Sequence, residues 1–290
     1  MKTILVTGGN GQLATCIKDL EQSINGFRFI YVDSGELDIS KQDEVNSFFE
    51  ENTVDWCINC AAYTAVDKAE SEKKKAFAVN VLGAKYLAMA CREHSAKMVH
   101  ISTDFVFGGD TFLAYSEIDA TGPTGVYGET KLQGEKEIEN YLDEHFIFRT
   151  SWLYSEHGHN FLKTMLRLAE SKSELSVVTD QIGTPTYAKD LAEVLLNIIA
   201  SNSEAYGLFH YSNEGVASWY DFAHAIFEIS KKKMDVYPIK SEAYPTPAKR
   251  PHFSVLDKSK VKRTFNIKIA HWRDSLQTCY DVLLDSMINK

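Results

Sequence analysis

The sequence lacks any apolar run long enough to span a bilayer, and its N-terminus passes from the strand-like Ile4-Leu5-Val6 to glycine without an extended apolar stretch. The expectation is a soluble, cytoplasmic protein with no membrane partner. Cysteine is sparse too. Five residues are scattered without a disulfide-like or zinc-like rhythm, and the nearest two, Cys57 and Cys60, lie in an apolar run that reads as a strand. Their odd separation points them to opposite faces and no second pair follows, so they read as core residues in a reducing compartment. Nor is there a basic excess. With 31 Lys and Arg against 40 Asp and Glu, the net charge is -9. The lysine runs 73–75 and 231–233 are flanked by acids or apolar residues and read as solvated helix ends, which disfavours nucleic acid as a partner. Internal repeats and low-complexity tracts are missing as well.

What is present suits a large core. The 290 residues are 44% hydrophobic, long for one compact unit, which implies a dominant domain carrying a smaller one. In the first half, short β-branched or aromatic runs (K-T-I-L-V-T, F-R-F-I-Y-V-D, V-D-W-C-I-N-C, K-M-V-H-I-S-T and H-F-I-F-R-T) alternate with helical patterns near 12–23, 42–52, 69–94 and 128–144. Such alternation predicts right-handed βαβ crossovers: an α/β, doubly wound, Rossmann-like parallel sheet over residues 1–150, completed by segments within 175–205. After residue 151 the rhythm loosens. Helices are expected near 160–172 and 188–200, strands at L-S-V-V-T and G-L-F-H-Y, and a further helix capped by Ser218. Pro238, Pro245, Pro247 and Pro251 make 237–251 an expected irregular loop. Residues 151–290 thus read mainly as a smaller, discontinuous α/β substrate domain interleaved with the first.

Two groups of residues carry chemistry. Gly8-Gly9-Asn10-Gly11-Gln12-Leu13-Ala14 follows the first strand and opens the first helix. Gly8 permits a tight turn, Gly11 lets a pyrophosphate approach the backbone, and Ala14 lets the helix pack on the strand. N–H groups at the helix N-terminus would hold the anion. Asp33, ending the second strand, is placed to bind an adenosine ribose and would favour NAD over NADP; it reads equally as a turn aspartate. Asp38-Ile39 is a second candidate, near an adenine edge or before a helix.

The other group starts with Ser102-Thr103-Asp104 at the end of the fourth strand, on the sheet edge where ligands of open parallel sheets bind. Tyr127 follows a polar loop, and Lys131 lies four residues on, on the same helical face. A Tyr-x-x-x-Lys pair alone is common. In this order with the other two signals it describes a reductase site: a phenol with pKa near ~10 made a usable general acid–base by the ammonium beside it together with an oxidised nicotinamide in a partly dry cleft, with Thr103 on the carbonyl oxygen.

These residues resemble the extended short-chain dehydrogenase/reductases, and among them the dTDP-4-dehydrorhamnose reductase family. The resemblance runs through N-C-A-A-Y-T-A-V-D-K-A-E, V-N-V-L-G, S-T-D-F-V-F, Y-G-E-T-K, R-T-S-W-L-Y, D-Q-I-G-T-P-T and R-P-H-F-S-V-L-D. It implies NADPH- or NADH-dependent reduction of the C4 ketone of a dTDP-sugar, dTDP-6-deoxy-L-lyxo-4-hexulose, to dTDP-L-rhamnose, by a monomer or homodimer. It also implies that Ala61, Ala62 and Tyr63 line the cofactor, that Asn80 supports the framework, and that Thr103, Tyr127 and Lys131 are catalytic. Asp104 and Trp152 would face the sugar. Some members bind Mg²⁺ at a dimer interface through glutamates, one of them early in the first helix. Ala14-Thr15-Cys16-Ile17 stands there, which argues against a metal-bridged dimer. Alternatives are a sugar-nucleotide epimerase or dehydratase, or a non-catalytic NADP-binding regulatory subunit similar to that of methionine adenosyltransferase. Dehydratases usually carry an acidic pair after the threonine, whereas Asp104 is followed by Phe105.

Overall fold

A computed structural model describes residues 1–288. Six parallel strands, β1 (Lys2–Thr7), β2 (Phe27–Val32), β3 (Trp56–Asn59), β4 (Lys97–Thr103), β5 (His145–Thr150) and β6 (Gly207–His210), form the main sheet in the order β6-β5-β4-β3-β1-β2. Every residue of β3 and β5 is buried, as expected for central strands covered on both faces. The chain moves from β2 back across β1 to β3, so the order reverses between β1 and β3. A crevice opens there at the C-terminal ends of the strands.

Residue parity decides which helix each strand side chain meets. Ile4, Val6, Ile58, Val99, Phe146 and Phe148 pack with α1 (Gln12–Leu20) and α6 (Ala188–Ala200). Leu5, Cys57, Met98 and Ile147 pack on the other face with α2 (Gln42–Glu51), the long helix α3 (73–93) and α4 (Val126–Tyr141). Cys57 and Cys60 join opposite cores, as their odd spacing requires. The single helix expected over 69–94 is divided. Val66–Ala69 is a separate turn, and α3 starts at Lys73 and passes through a π-helical stretch, Ala78–Gly83.

A second core, including Tyr154, Leu162, Met165, Phe222, Ile226, Trp272 and Leu276, lies among α5 (Phe161–Leu168), α7 (Trp219–Ser230) and α8 (Trp272–Ile288). Small sheets pair Leu153–Tyr154 with Thr186–Tyr187, Ile182–Gly183 with Ala217–Ser218, and Glu174–Val178 with Asp235–Ile239. Ser218 caps α7 through a reciprocal box with Asp221. Residues 237–239, expected in a loop, are strand. Pro238 is tolerated because its strand has only one neighbour, leaving a side where no N–H is needed. Helix α6 does complete the main layer from within 175–205, but the sixth strand, Gly207–His210, lies beyond that stretch.

Candidate active site

The glycine loop is shaped by its neighbours. Gly8 has φ +65°, and a Cβ there would sit 2.8 Å from the Ala61 nitrogen, so only glycine lets β1's exit approach the chain leaving β3. Gly9 and Gly11 donate to Val32 O and Gly8 O, each at 2.8 Å. Gly11 precedes α1 and offers no side-chain cap, leaving the first-turn N–H groups to an external acceptor. This close backbone cradle fits a dinucleotide pyrophosphate. Leu13 and Ala14 are buried in the core beneath it.

Other cofactor candidates are engaged locally. The Asn10 amide donates to Asp33, whose second oxygen accepts from Gly35 N at 2.8 Å, the geometry of a turn aspartate. Asp38 accepts from Ser40 N and Oγ at 3.0 and 2.6 Å, contacts that hold its carboxyl below the usual range, and Ile39 lies against Gly83. Gln12 spans the two layers, donating to Leu153 O and accepting from Ser155 and Asn160. Ala61, Ala62 and Tyr63 are half-buried where the chain leaves β3. Asn80 clamps this segment, accepting from Tyr63 N at 2.8 Å and donating to Tyr63 O and to Thr130 Oγ1 of α4.

Thr103, Asp104 and Tyr127 meet where β4 ends. Thr103 Oγ1 accepts from Phe105 N and donates to Asp104 Oδ1, both at 3.2 Å. Tyr127, in the first turn of α4, packs edge-on against Phe105. Burial pushes its phenol up to about 12; hydrogen bonding to Thr103 opposes the rise and the Asp104 charge adds to it. Lys131 is fully buried, with Nζ donating to Ile101 O at 2.7 Å and lying 3.1 Å from His100 Nε2. Burial pulls it down to about 8, against the pull of Glu135 and Cys60. The Tyr127 phenol thus stands above its ordinary value, and Lys131 is not among the groups that move it. The lysine is bound to β4, and desolvation is the largest influence on the phenol.

Asp104 is the group with capacity to spare. Its Oδ2 is buried without a hydrogen-bond partner, and burial raises its pKa to about 6 despite the opposing influence of the nearby Ser254 and Thr103 hydroxyls. Trp152 adopts φ +45° and stacks on Trp219 with ring centroids 3.6 Å apart. Gly183 makes room for it, since a Cβ there would be 2.7 Å from the indole. Trp219 also lines a cavity of about 650 Å³ with Phe161, Met165, Tyr244, Lys172 and Arg250. Arg250 is held at 2.8 Å by Asp67, beside the main sheet.

Sequence reasoning missed Asn59, His100, Glu135, Trp219 and Ser254. A signal existed for two of them: His100 lies between Val99 and Ile101 in the middle of β4, and Asn59 ends the apolar run of β3, placements that demand buried partners. Glu135, buried on α4, accepts from Ser102 and forms a two-pronged ion pair with Arg149 of β5, with Arg149 Nη2 at 2.7 Å. Near the start of α1, Cys16, Glu156 and His157 have donor atoms within 4.8 Å of one another. Glu156 already accepts from Tyr187 OH and His157 pairs with Asp19.

A family model described as the RmlD substrate binding domain matches residues 1–284. Over 287 residues the chain is 41% identical to a dTDP-4-dehydrorhamnose reductase of Aggregatibacter actinomycetemcomitans, covering 96% of this chain and 98% of that protein. Among solved structures it resembles a dTDP-4-dehydrorhamnose reductase from Clostridium acetobutylicum, with TM-score 0.93, 42% identity, and 97% and 99% of the two chains covered. The enzyme from Bacillus anthracis, solved in complex with NADP, gives TM-score 0.91 and 37% identity over 97% and 99%.

Proposed function

Because the chain belongs to the dTDP-4-dehydrorhamnose reductase family, we propose that Thr103, Tyr127 and Lys131 carry out the NAD(P)-dependent reduction of the C4 ketone that yields dTDP-L-rhamnose. When bound on the glycine cradle, NADPH supplies the hydride. The choice of NADPH is supported by the NADP complex of the Bacillus anthracis relative. The Asp33 carboxylate, expected at the ribose, is instead turned to Asn10 and Gly35. Gly8, Asn10, Gly11, Gln12 and Leu13 line the pyrophosphate side, and Ala61, Ala62, Tyr63 and Asn80 the wall beside it.

The observation that carries the assignment is the meeting of Thr103, Tyr127 and the unpartnered Asp104 Oδ2 at the end of β4. Reduction turns a carbonyl oxygen into an alkoxide that must gain a proton. A phenol with pKa about 12 stays protonated at neutral pH, and its proton still moves downhill to an alkoxide. The raised pKa thus suits this direction: Tyr127 waits loaded. Thr103 donates to the same oxygen as charge develops. Asp104 accepts a sugar hydroxyl at its open oxygen. Trp152 lies against the sugar, and the cavity beyond Trp219 receives the nucleotide, with aromatic faces for the base and Lys172 and Arg250 for the diphosphate.

Oxidation of NADPH and of NADH with dTDP-6-deoxy-L-lyxo-4-hexulose tests this directly. Tyr127→Phe is expected to lose about 100-fold or more in kcat while still binding cofactor. Near-normal turnover in that variant would remove Tyr127 from the mechanism. No turnover of wild type with either cofactor would leave a binding module instead.

A further inference from the structure

Four buried side chains run in line from β1 to α4. Thr7 Oγ1 donates to Asn59 Oδ1 at 2.7 Å, Asn59 Nδ2 meets His100 Nδ1 at 3.0 Å, and His100 Nε2 meets Lys131 Nζ at 3.1 Å. Thr7, Asn59, His100 and Lys131 are all but inaccessible to solvent, so each proton must have an internal acceptor.

The direction of this chain is fixed at one end by backbone. Ala61 N–H donates to Asn59 Oδ1 at 3.1 Å, with Thr7 Oγ1 a more distant acceptor at 3.4 Å, and a backbone N–H cannot be reversed. The oxygen of Asn59 therefore stays on the Thr7 and Ala61 side, and its NH₂ faces His100. That makes Nδ1 of His100 an acceptor. A neutral imidazole carries one proton, so Nε2 bears it and presents an N–H to Lys131. An imidazolium would set a second N–H against the Asn59 NH₂, and burial also holds the His100 pKa well below its ordinary value. An ammonium has no lone pair to accept this N–H, whereas a neutral amine accepts it while donating to Ile101 O.

We infer that His100 is a positioning residue that disfavours the charged form of Lys131 by presenting an N–H to it, making the lysine's charge switchable near neutral pH. The inference extends the assignment of Lys131 to the active site, and only its kinetic consequence rests on that assignment. Burial acts on Lys131 in the same direction. The other ionisable groups packed around the pair are Cys60 after β3, Glu135 with its partner Arg149, His145 of β5, and Tyr127 one turn back on α4. Of these, Cys60 and Glu135 pull the Lys131 pKa upward and so oppose the effect.

The test is a pH titration of the lysine side-chain NMR signals of the ligand-free enzyme, with Lys131 assigned through Lys131→Met. Wild-type Lys131 is expected to lose its proton at least about tenfold more readily than ordinary lysines. In His100→Gln, a side-chain carbonyl can replace the N–H, and proton affinity at Lys131 should rise by about tenfold or more with no change of charge. Asn59→Asp keeps the shape, accepts Nδ1–H, turns Nε2 into an acceptor, and should raise it further. In kinetics, the alkaline limb of kcat/KM should move upward in His100→Gln, which a merely structural role would not do. A wild-type Lys131 that titrates with the surface lysines overturns the inference, even if the variants fail to fold. So does a Lys131 whose titration is unmoved by His100→Gln. Activity surviving in Tyr127→Phe would strike the catalytic assignment while leaving this titration intact.

Discussion

Replacing Gly134 by alanine sets two effects against each other on the helix that carries Tyr127 and Lys131. By propensity alone, alanine in a helix interior is favoured by about 1 kcal/mol. At this position, however, its Cβ would lie 2.2 Å from the main-chain oxygen of Asn80 on α3 and 3.4 Å from Ala84 Cβ. Such a contact is about 1 Å short of a normal van der Waals separation, and the obstacle is backbone, so α3 and α4 must move apart. Overpacking of this kind costs typically 1–3 kcal/mol, and a backbone obstacle this close puts the cost at the upper end, which leaves a net loss of up to about 2 kcal/mol after the propensity gain. Asn80 would be displaced from Tyr63 and Thr130, and a shift of about 1 Å in α4 is enough to cost on the order of 100-fold in rate. Urea unfolding should show a lower midpoint at unchanged slope, and kcat should fall far more than the stability loss suggests. Lys136→Ala, exposed on the same helix, should change stability by no more than about 0.5 kcal/mol and serves as the control. A Gly134→Ala protein at least as stable as wild type, with unchanged kcat, would refute close packing of α3 on α4 as what positions the site.

Further expectations concern the buried charges. Arg149→Met strands Glu135 with Ser102 as its remaining partner and should destabilise the fold by about 3–5 kcal/mol, with much of the loss recovered in Arg149→Met/Glu135→Gln; equal instability of the single and double variants would contradict this. Asp104 has its folded pKa raised from 3.8 to about 6, so the folded state binds the extra proton between those values. Stability from this group is greatest at low pH and declines as pH rises through that window, by roughly 3 kcal/mol in all. Asp104→Asn should abolish that slope in acid unfolding curves. It should also remove the fall in kcat/KM that wild type is expected to show below about pH 6, as protonation blunts the acceptor for the sugar.

Much of the architecture was legible because it repeats locally. Strand runs between helical patterns announce a doubly wound sheet, and the glycines after β1 and the Ser-Thr-Asp at the end of β4 mark one edge of it. Where a rule of local chemistry is conditional, reading it from sequence went astray. Proline argues against a strand unless one edge is unpaired, and Pro238 sits on such an edge, a fact fixed only when Asp235–Ile239 meets Glu174–Val178. The spacing of Tyr127 and Lys131 placed both on α4 but left open what else each would touch. Lys131 reaches His100 and Ile101, and Trp152 stacks on Trp219, through contacts between residues about 30 and 67 positions apart, which no local pattern encodes.

That gap matters most for the proton chemistry. The sequence suggests a lysine charge and an oxidised nicotinamide acting together on a tyrosine in a partly dry cleft. The folded chain has one dominant cause, desolvation, acting on both groups in opposite directions: the phenol goes up and the ammonium comes down. Both shifts move the pair toward its uncharged form, a full phenol beside a lysine that parts with its proton easily. Such a pair is poorly prepared to abstract a proton from an alcohol, because the phenolate is the disfavoured species. It is well prepared to give one to a nascent alkoxide. The burial that holds α4 against β4 and β5 through the Glu135–Arg149 pair therefore also keeps the phenol protonated, and a change that loosened that packing would act on both.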